Sequence, residues 1–209
     1  YTEDEIRRLL DAALELPVTW PSTPLRPWAF HGLFGLLSVT GVRLSEALNL
    51  KLADVDLKQA VLTIRGAKFG QWRLVPIHTS TCAILADYIE RRTQFFRHPV
   101  SSYLFVSRCG TRLDGGHVHR TFYTLSRKTG LRAVGARKGP RLHDFRHRFA
   151  IQTLIRWYQT NREPGRELPL LSTYLGHVCV SGTYWYLSAN PELMAQAMAR
   201  LEQRWGESS

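Results

Sequence analysis

Apolar residues recur along this chain with two spacings, one helical and one of strand type. Behind Thr2-Glu3-Asp4-Glu5, a capping-box pattern, Ile6, Leu9, Leu10 and Ala13 fall on one helical face. Pro27 to Val39 is almost wholly apolar, which predicts a central helix buried on most sides and stopped by Thr40-Gly41. A short helix follows over Arg43 to Leu50. Ala60 to Ile64 and Trp72 to Ile77 then read as two strands joined by a glycine-flanked hairpin loop, Gly66 to Gly70.

Further along, Thr79 or Ser80 is expected to cap a helix over Cys82 to Phe96, and Tyr103 to Val106 reads as a short strand. Helices are predicted over Gly115 to Lys128 and His143 to Tyr158, with a basic loop, residues 130–141, between them. NREPGRE interrupts the pattern, short helices follow near 168–174 and 180–187, and Asn190-Pro191 opens a last amphipathic helix carrying Leu193, Met194, Ala197, Met198 and Leu201. The expected fold class is mainly α with a small antiparallel β-sheet (α+β), as a single domain over residues 1–209.

Composition narrows this reading. No stretch approaches the roughly 20 consecutive apolar residues of a membrane-spanning helix, and the acidic, amphipathic start lacks the order of a secretory signal. The chain opens without Met, as a fragment or a processed chain would. Cys82, Cys109 and Cys179 are scattered and odd in number, which fits buried, reduced thiols of a cytoplasmic protein better than a disulfide framework. The net charge is +11, and residues 108–166 hold 14 Lys and Arg against three acids, Asp114, Asp144 and Glu163. The rest of the chain is neutral, so the surplus marks a polyanion-binding face, with nucleic acid as the expected partner.

Three constellations carry possible chemistry. His143 and Arg146 are three apart, so on a helix they share a face. There a guanidinium can bond two phosphate oxygens while the imidazole handles a proton. Arg43 follows a glycine turn at a helix start, and Glu46, one turn on, can orient it. Leu175-Gly176-His177 precedes Tyr186 by nine positions. A phenol ionises at about pH 10 and becomes a usable nucleophile only beside cations and a base. Taken singly, each also fits a commonplace structural role: a surface ion pair, a helix-start histidine, a core aromatic. A zinc site through His143 and His147 is disfavoured, because Asp144 stands where a zinc protease needs Glu and Arg146 and Arg148 flank the second histidine.

Together and in this order, the motifs resemble the catalytic domain of the tyrosine recombinases, the phage-integrase-type enzymes. The matching stretches are TGVRLSEALNLKLADVDL, the loop lysine before RLVPIH, RLHDFRHRFA, and YLGH followed by Tyr186, spanning Thr2 to Leu201. The resemblance implies a site-specific recombinase or integrase of a mobile element, acting on double-stranded DNA through a 3′-phosphotyrosyl intermediate without metal or cofactor. It also implies roles. Arg43 and Arg146 would clamp the scissile phosphate, His143 would assist deprotonation of Tyr186, His177 would hydrogen-bond the phosphate, and Lys68 would be the general acid for the 5′ oxygen. Glu46 would brace the site. The nine-residue spacing selects Tyr186 over Tyr184.

Three departures accompany the resemblance. The lysine loop GAKFGQWR has one lysine and is about one residue long for the family. WYQTNREPGRELPLL reads as a surface insertion. The N-terminal DNA-clamping domain usual in the family is missing from this sequence. By the same resemblance the final helix would dock on a neighbouring protomer to link a tetramer on DNA. A type IB topoisomerase and a DNA-binding module that has lost catalysis are the competing readings.

Overall fold

The computed structural model describes residues 1–18, 25–65, 72–96, 98, 100–160, 162–177, 179, 181, 183, 186 and 191–206. The first helix, α1 (Glu3–Leu14), begins as its pattern requires: the Thr2 hydroxyl accepts from the Glu5 amide, and the Glu5 carboxylate accepts from the Thr2 amide. Helix α2 (Leu25–Thr40) starts two residues before the expected Pro27, because proline is tolerated in a first turn whose amides have no intrahelical acceptor. It is buried on nearly every side and packs against α1, α3 (Leu44–Asn49) and α4 (Thr79–Phe95). The cap of α4 is His78, not Thr79 or Ser80; its Nδ1 accepts from the Ser80 amide.

A 3-10 turn, Leu52–Asp54, leads into an antiparallel sheet of order β1 (Val55–Asp56), β2 (Val61–Ile64), β3 (Arg73–Pro76). Strand β1 is too short for its pattern to announce it. Leu62 pairs with Val75, both buried, so one face of the hairpin is committed to the core and its register is fixed. Pro76 sits at the end of an edge strand, where a missing amide is tolerated. The predicted loop Gly66 to Gly70, with Lys68, lies outside the described residues.

Tyr103 to Val106 is not a strand. It makes two single bridges, Lys51 with Tyr103 and Val106 with Arg112. Leu104, Phe105 and Val106 are all buried, a continuous apolar run without the alternation of a half-exposed strand. Helices α5 (Gly115–Lys128) and α6 (Asp144–Gln159) follow close to expectation. Helix α7 (Pro164–Leu175) begins inside the segment read as an insertion. Pro164 takes the first helical position, the charged residues Arg162, Glu163 and Arg166 are exposed, and Leu168 and Leu171 are buried. Ser181, Thr183 and Tyr186 are helical, and α8 (Pro191–Gly206) ends the described chain.

Contacts divide the chain into two compact units, Tyr1–Arg146 and His147–Ser209. The first is built on Leu9, Phe30, Leu33, Phe34, Leu62, Val75, Tyr88, Phe105, Phe122 and Phe145. The second gathers Ala150, Leu154, Ile155, Trp157, Leu168, Leu171, Leu175, Tyr186 and Leu193. Among the described residues no disulfide joins the cysteines; Cys82 is half-buried, but Cys109 and Cys179 are exposed, contrary to the expectation of burial. Among the described residues no helix is long and apolar enough to cross a membrane.

Candidate active site

In the first unit the site is built around a turn and a helix start. Gly41, with φ 62°, lets the chain leave α2 sharply, and Arg43 becomes the N-cap of α3. Its amide donates to Glu46 Oε2 (2.8 Å) and its Nη1 to Glu46 Oε1 (2.9 Å). Arg73, at the head of β3, grips the same carboxylate with two bonds, Nη1 to Oε1 (3.0 Å) and Nη2 to Oε2 (2.9 Å). The Glu46 and Arg73 side chains are 7% and 9% exposed, whereas Arg43 keeps 35% of its side chain at the surface. Burial pushes the Glu46 carboxyl upward, but the Arg73 hydrogen bonds, the Arg43 amide and the charge of both arginines outweigh it and hold it below its ordinary value. Glu46 is therefore a carboxylate that fixes the rotamer of Arg43.

Arg146 is fully buried, and its Nη1 donates to the Gly41 carbonyl (2.9 Å). That bond ties the first turn of α6 to the backbone two residues before Arg43, so both arginines are set by one turn. His143 lies in the turn just before α6 and is exposed, whereas Arg146 is buried. The turn itself is braced. The Asp144 carboxylate accepts from the Arg141 amide (2.9 Å) and the Arg141 guanidinium (3.1 Å). Phe145 stacks on Tyr1 with ring centroids 4.6 Å apart, and the Tyr1 hydroxyl donates to the Arg141 carbonyl (2.8 Å). Burial, then the nearby Asp144 and Glu5 carboxylates, push the Tyr1 phenol well above its ordinary value, so it remains a donor.

In the second unit, α7 ends on Gly176 in the left-handed conformation. The His177 amide donates to the Ser172 carbonyl (2.9 Å) and the Gly176 amide to the Thr173 carbonyl (3.0 Å), a Schellman motif. This is the physical content of Leu-Gly-His: a buried last residue, a glycine that reverses the chain, and a histidine held by the motif. His177 Nδ1 bonds Thr183 Oγ1 (2.8 Å), and its ring lies nearly parallel to that of Tyr186, with centroids 6.1 Å apart and planes at 16°. His147 meets Tyr186 on edge at 5.5 Å. Tyr186 is 3% exposed, in contact with two imidazoles.

The first unit thus holds Arg43, His143 and Arg146, and the second holds His177 and Tyr186. Lys68 and Tyr184 fall outside the described residues. Sequence reasoning missed three partners. Arg73 shares the inward face of β3 with Val75, and an arginine at an inward strand position demands a buried carboxylate; that signal was available. His147 was weighed only as a metal ligand. Nothing local marks Tyr1. Among the described residues no group of three or more His, Cys, Asp or Glu side chains gathers to hold a metal ion.

The sequence profile described as "Phage integrase family" matches residues 1–192. The integrase/recombinase-type protein y4rB of Sinorhizobium fredii is 60% identical over 98% of this chain and 66% of its own length. Tyrosine recombinase XerA of Pyrococcus furiosus is 28% identical over 95% of this chain and 60% of its own length. The chain therefore spans somewhat under two thirds of these relatives. A crystal structure of XerA recombinase superposes with a TM-score of 0.71 at 26% identity, over 96% of this chain and 62% of that one. XerH site-specific recombinase bound to its palindromic difH substrate gives 0.70 at 20% identity, over 97% of this chain and 53% of that one, a likeness of fold. A helical fold with a three-stranded antiparallel sheet, an arginine braced by a buried glutamate, and a tyrosine stacked on the histidine of a Schellman turn are thus joined to a match along nearly the whole sequence: the chain belongs to the phage integrase family.

Proposed function

We propose that this chain is the catalytic part of a site-specific DNA recombinase or integrase of a mobile element. The observation that carries the reading is Tyr186 stacked on His177, nine residues after it, in a chain of the phage integrase family. Tyr186 Oη attacks the scissile phosphorus, the bond to the 5′ oxygen breaks, and a 3′-phosphotyrosyl link forms. His143 takes the phenolic proton and returns it on religation, and Lys68 protonates the departing 5′ oxygen. Arg43 and Arg146 bond the non-bridging oxygens and stabilise the charge of the pentacoordinate state, with His177 adding a hydrogen bond. The link keeps the phosphodiester's energy, so a second 5′ hydroxyl reseals the strand without ATP, metal or cofactor.

Double-stranded DNA as substrate is supported by the basic surplus of residues 108–166 and by recombinase structures whose names include bound DNA. Assembly as a tetramer on DNA through α8 is supported by its exposed Met194 and Met198, one turn apart beside the buried Leu193. A lambda integrase tetramer on a Holliday junction is among the related folds.

A nicked duplex carrying the element's own end tests the chemistry. The unaltered protein is expected to accumulate a covalent protein–DNA adduct in EDTA, and Tyr186→Phe to give none; adduct in Tyr186→Phe removes Tyr186 as the nucleophile. Strand exchange between two duplexes, rather than relaxation of one supercoiled circle, separates recombination from topoisomerase action.

A further inference from the structure

Between α5 and the segment after it lies a pocket of about 660 Å³, bounded by Tyr123, Arg127, Arg132, Arg137, Lys138 and Arg141 with the loop glycines. Five of those side chains are cationic. Arg127, Arg137 and Lys138 are exposed and form no ion pair among the described residues, while the Asp144 carboxylate is engaged by Arg141. Like charges gathered without counter-charge raise the free energy of the folded chain, and a strongly positive concavity concentrates polyanions.

The floor of this pocket is constructed rather than incidental. Arg132 is only 7% exposed, lies 4.6 Å over the Tyr123 ring, and donates Nη2 to the Pro140 carbonyl (2.7 Å) and Nη1 to the Arg137 carbonyl (3.4 Å). Its buried Nε has no acceptor among the described residues. The loop closes on it through Gly139, where a Cβ would stand 3.2 Å from the guanidinium carbon and 3.3 Å from Nε. Two carbonyls neutralise none of its charge, so a full positive charge remains at the base of the pocket with Arg137 and Lys138 at its lip. At the other end Arg141, two residues before His143, donates its amide and guanidinium to Asp144 in the first turn of α6.

We infer that this pocket seats backbone phosphates of duplex DNA outside the scissile one. It is a sequence-independent anchor that holds the duplex beside the turn leading into His143. The assignment rests on the reading of the chain as a recombinase only for the choice of duplex DNA over a free polyphosphate. Phosphate groups fit the chemistry, because arginine forks bond them bidentately and a lysine adds a mobile point charge.

The test uses fluorescence anisotropy of a random-sequence duplex across salt concentration, in a Tyr186→Phe background so that covalent capture plays no part. Arg137→Gln with Lys138→Gln removes two charges and breaks no side-chain hydrogen bond or ion pair among the described residues. The slope of log affinity against log salt is expected to flatten by about 2, with affinity falling about 10- to 100-fold near 0.1 M salt. Arg7→Gln, on α1, is expected to leave the slope unchanged. Gly139→Ala keeps every charge but crowds Arg132 at a backbone φ of 150°, and is expected to weaken binding together with a loss of thermal stability. An unchanged slope in the double variant, or an equal change in Arg7→Gln, overturns the seat. One-to-one binding of tripolyphosphate, with duplex binding indifferent to the double variant, overturns the duplex in favour of a small polyanion. Loss of adduct formation with these slopes intact would instead count against the strand-cleavage reading alone.

Discussion

Replacing Glu46 by alanine isolates the buried brace of the site. Glu46 and Arg73 are 7% and 9% exposed and share two hydrogen bonds, so deletion leaves a guanidinium buried without its counter-charge. Breaking such a pair costs about 3–5 kcal/mol, and the lost acceptor for the Arg43 amide belongs to the same network. A loss of about 4 kcal/mol is expected in denaturant unfolding, which for a chain of this size is about 10 °C in Tm. Arg73→Ala should cost less, because Arg43 still pairs with Glu46. The double variant should then reveal a coupling of about 2 kcal/mol. The pH dependence has a definite sign. The carboxyl lies below its ordinary value of 4.5 in the folded chain, so its stabilisation is complete above that value and fades as pH falls through the folded value. Glu46→Ala should therefore differ least from the unaltered protein in acid. A loss under about 1 kcal/mol at neutral pH, or a coupling near zero, would refute the argument that this network holds Arg43.

Gly176→Ala places a Cβ at φ 67° and should cost about 1–2 kcal/mol, with adduct formation falling further as His177 loses its Schellman turn. Its check is unfolding alongside cleavage. Thr183→Val removes the hydroxyl that bonds His177 Nδ1 and should slow cleavage with substrate affinity kept, whereas Thr183→Ser should restore the rate. Equal effects of valine and serine would argue against that bond. Tyr1→Phe keeps the stack on Phe145 but loses the bond to the Arg141 carbonyl, a change of about 1 kcal/mol read by thermal unfolding.

Helix periods, the hairpin, the mainly α architecture and the motifs were legible in sequence because each depends on neighbours a few residues apart. Capping at Thr2 and the glycine turn before His177 are of this kind: the residues that satisfy the backbone are the ones the pattern names. The motif order was also legible, since it is a property of the chain and not of its packing. What only the tertiary structure decided is which side chains complete the site. Arg73 reaches Glu46 across 27 positions, Arg146 reaches Gly41 across 105, and Tyr1 reaches Arg141 across 140. Buried charges and carbonyls must find partners wherever the fold brings them, and no local period encodes that. Sequence singled out Tyr186 as a candidate by its spacing from His177, and packing supplied its two imidazole neighbours, because aromatic contacts are fixed by where α6 and the turn after α7 come to rest.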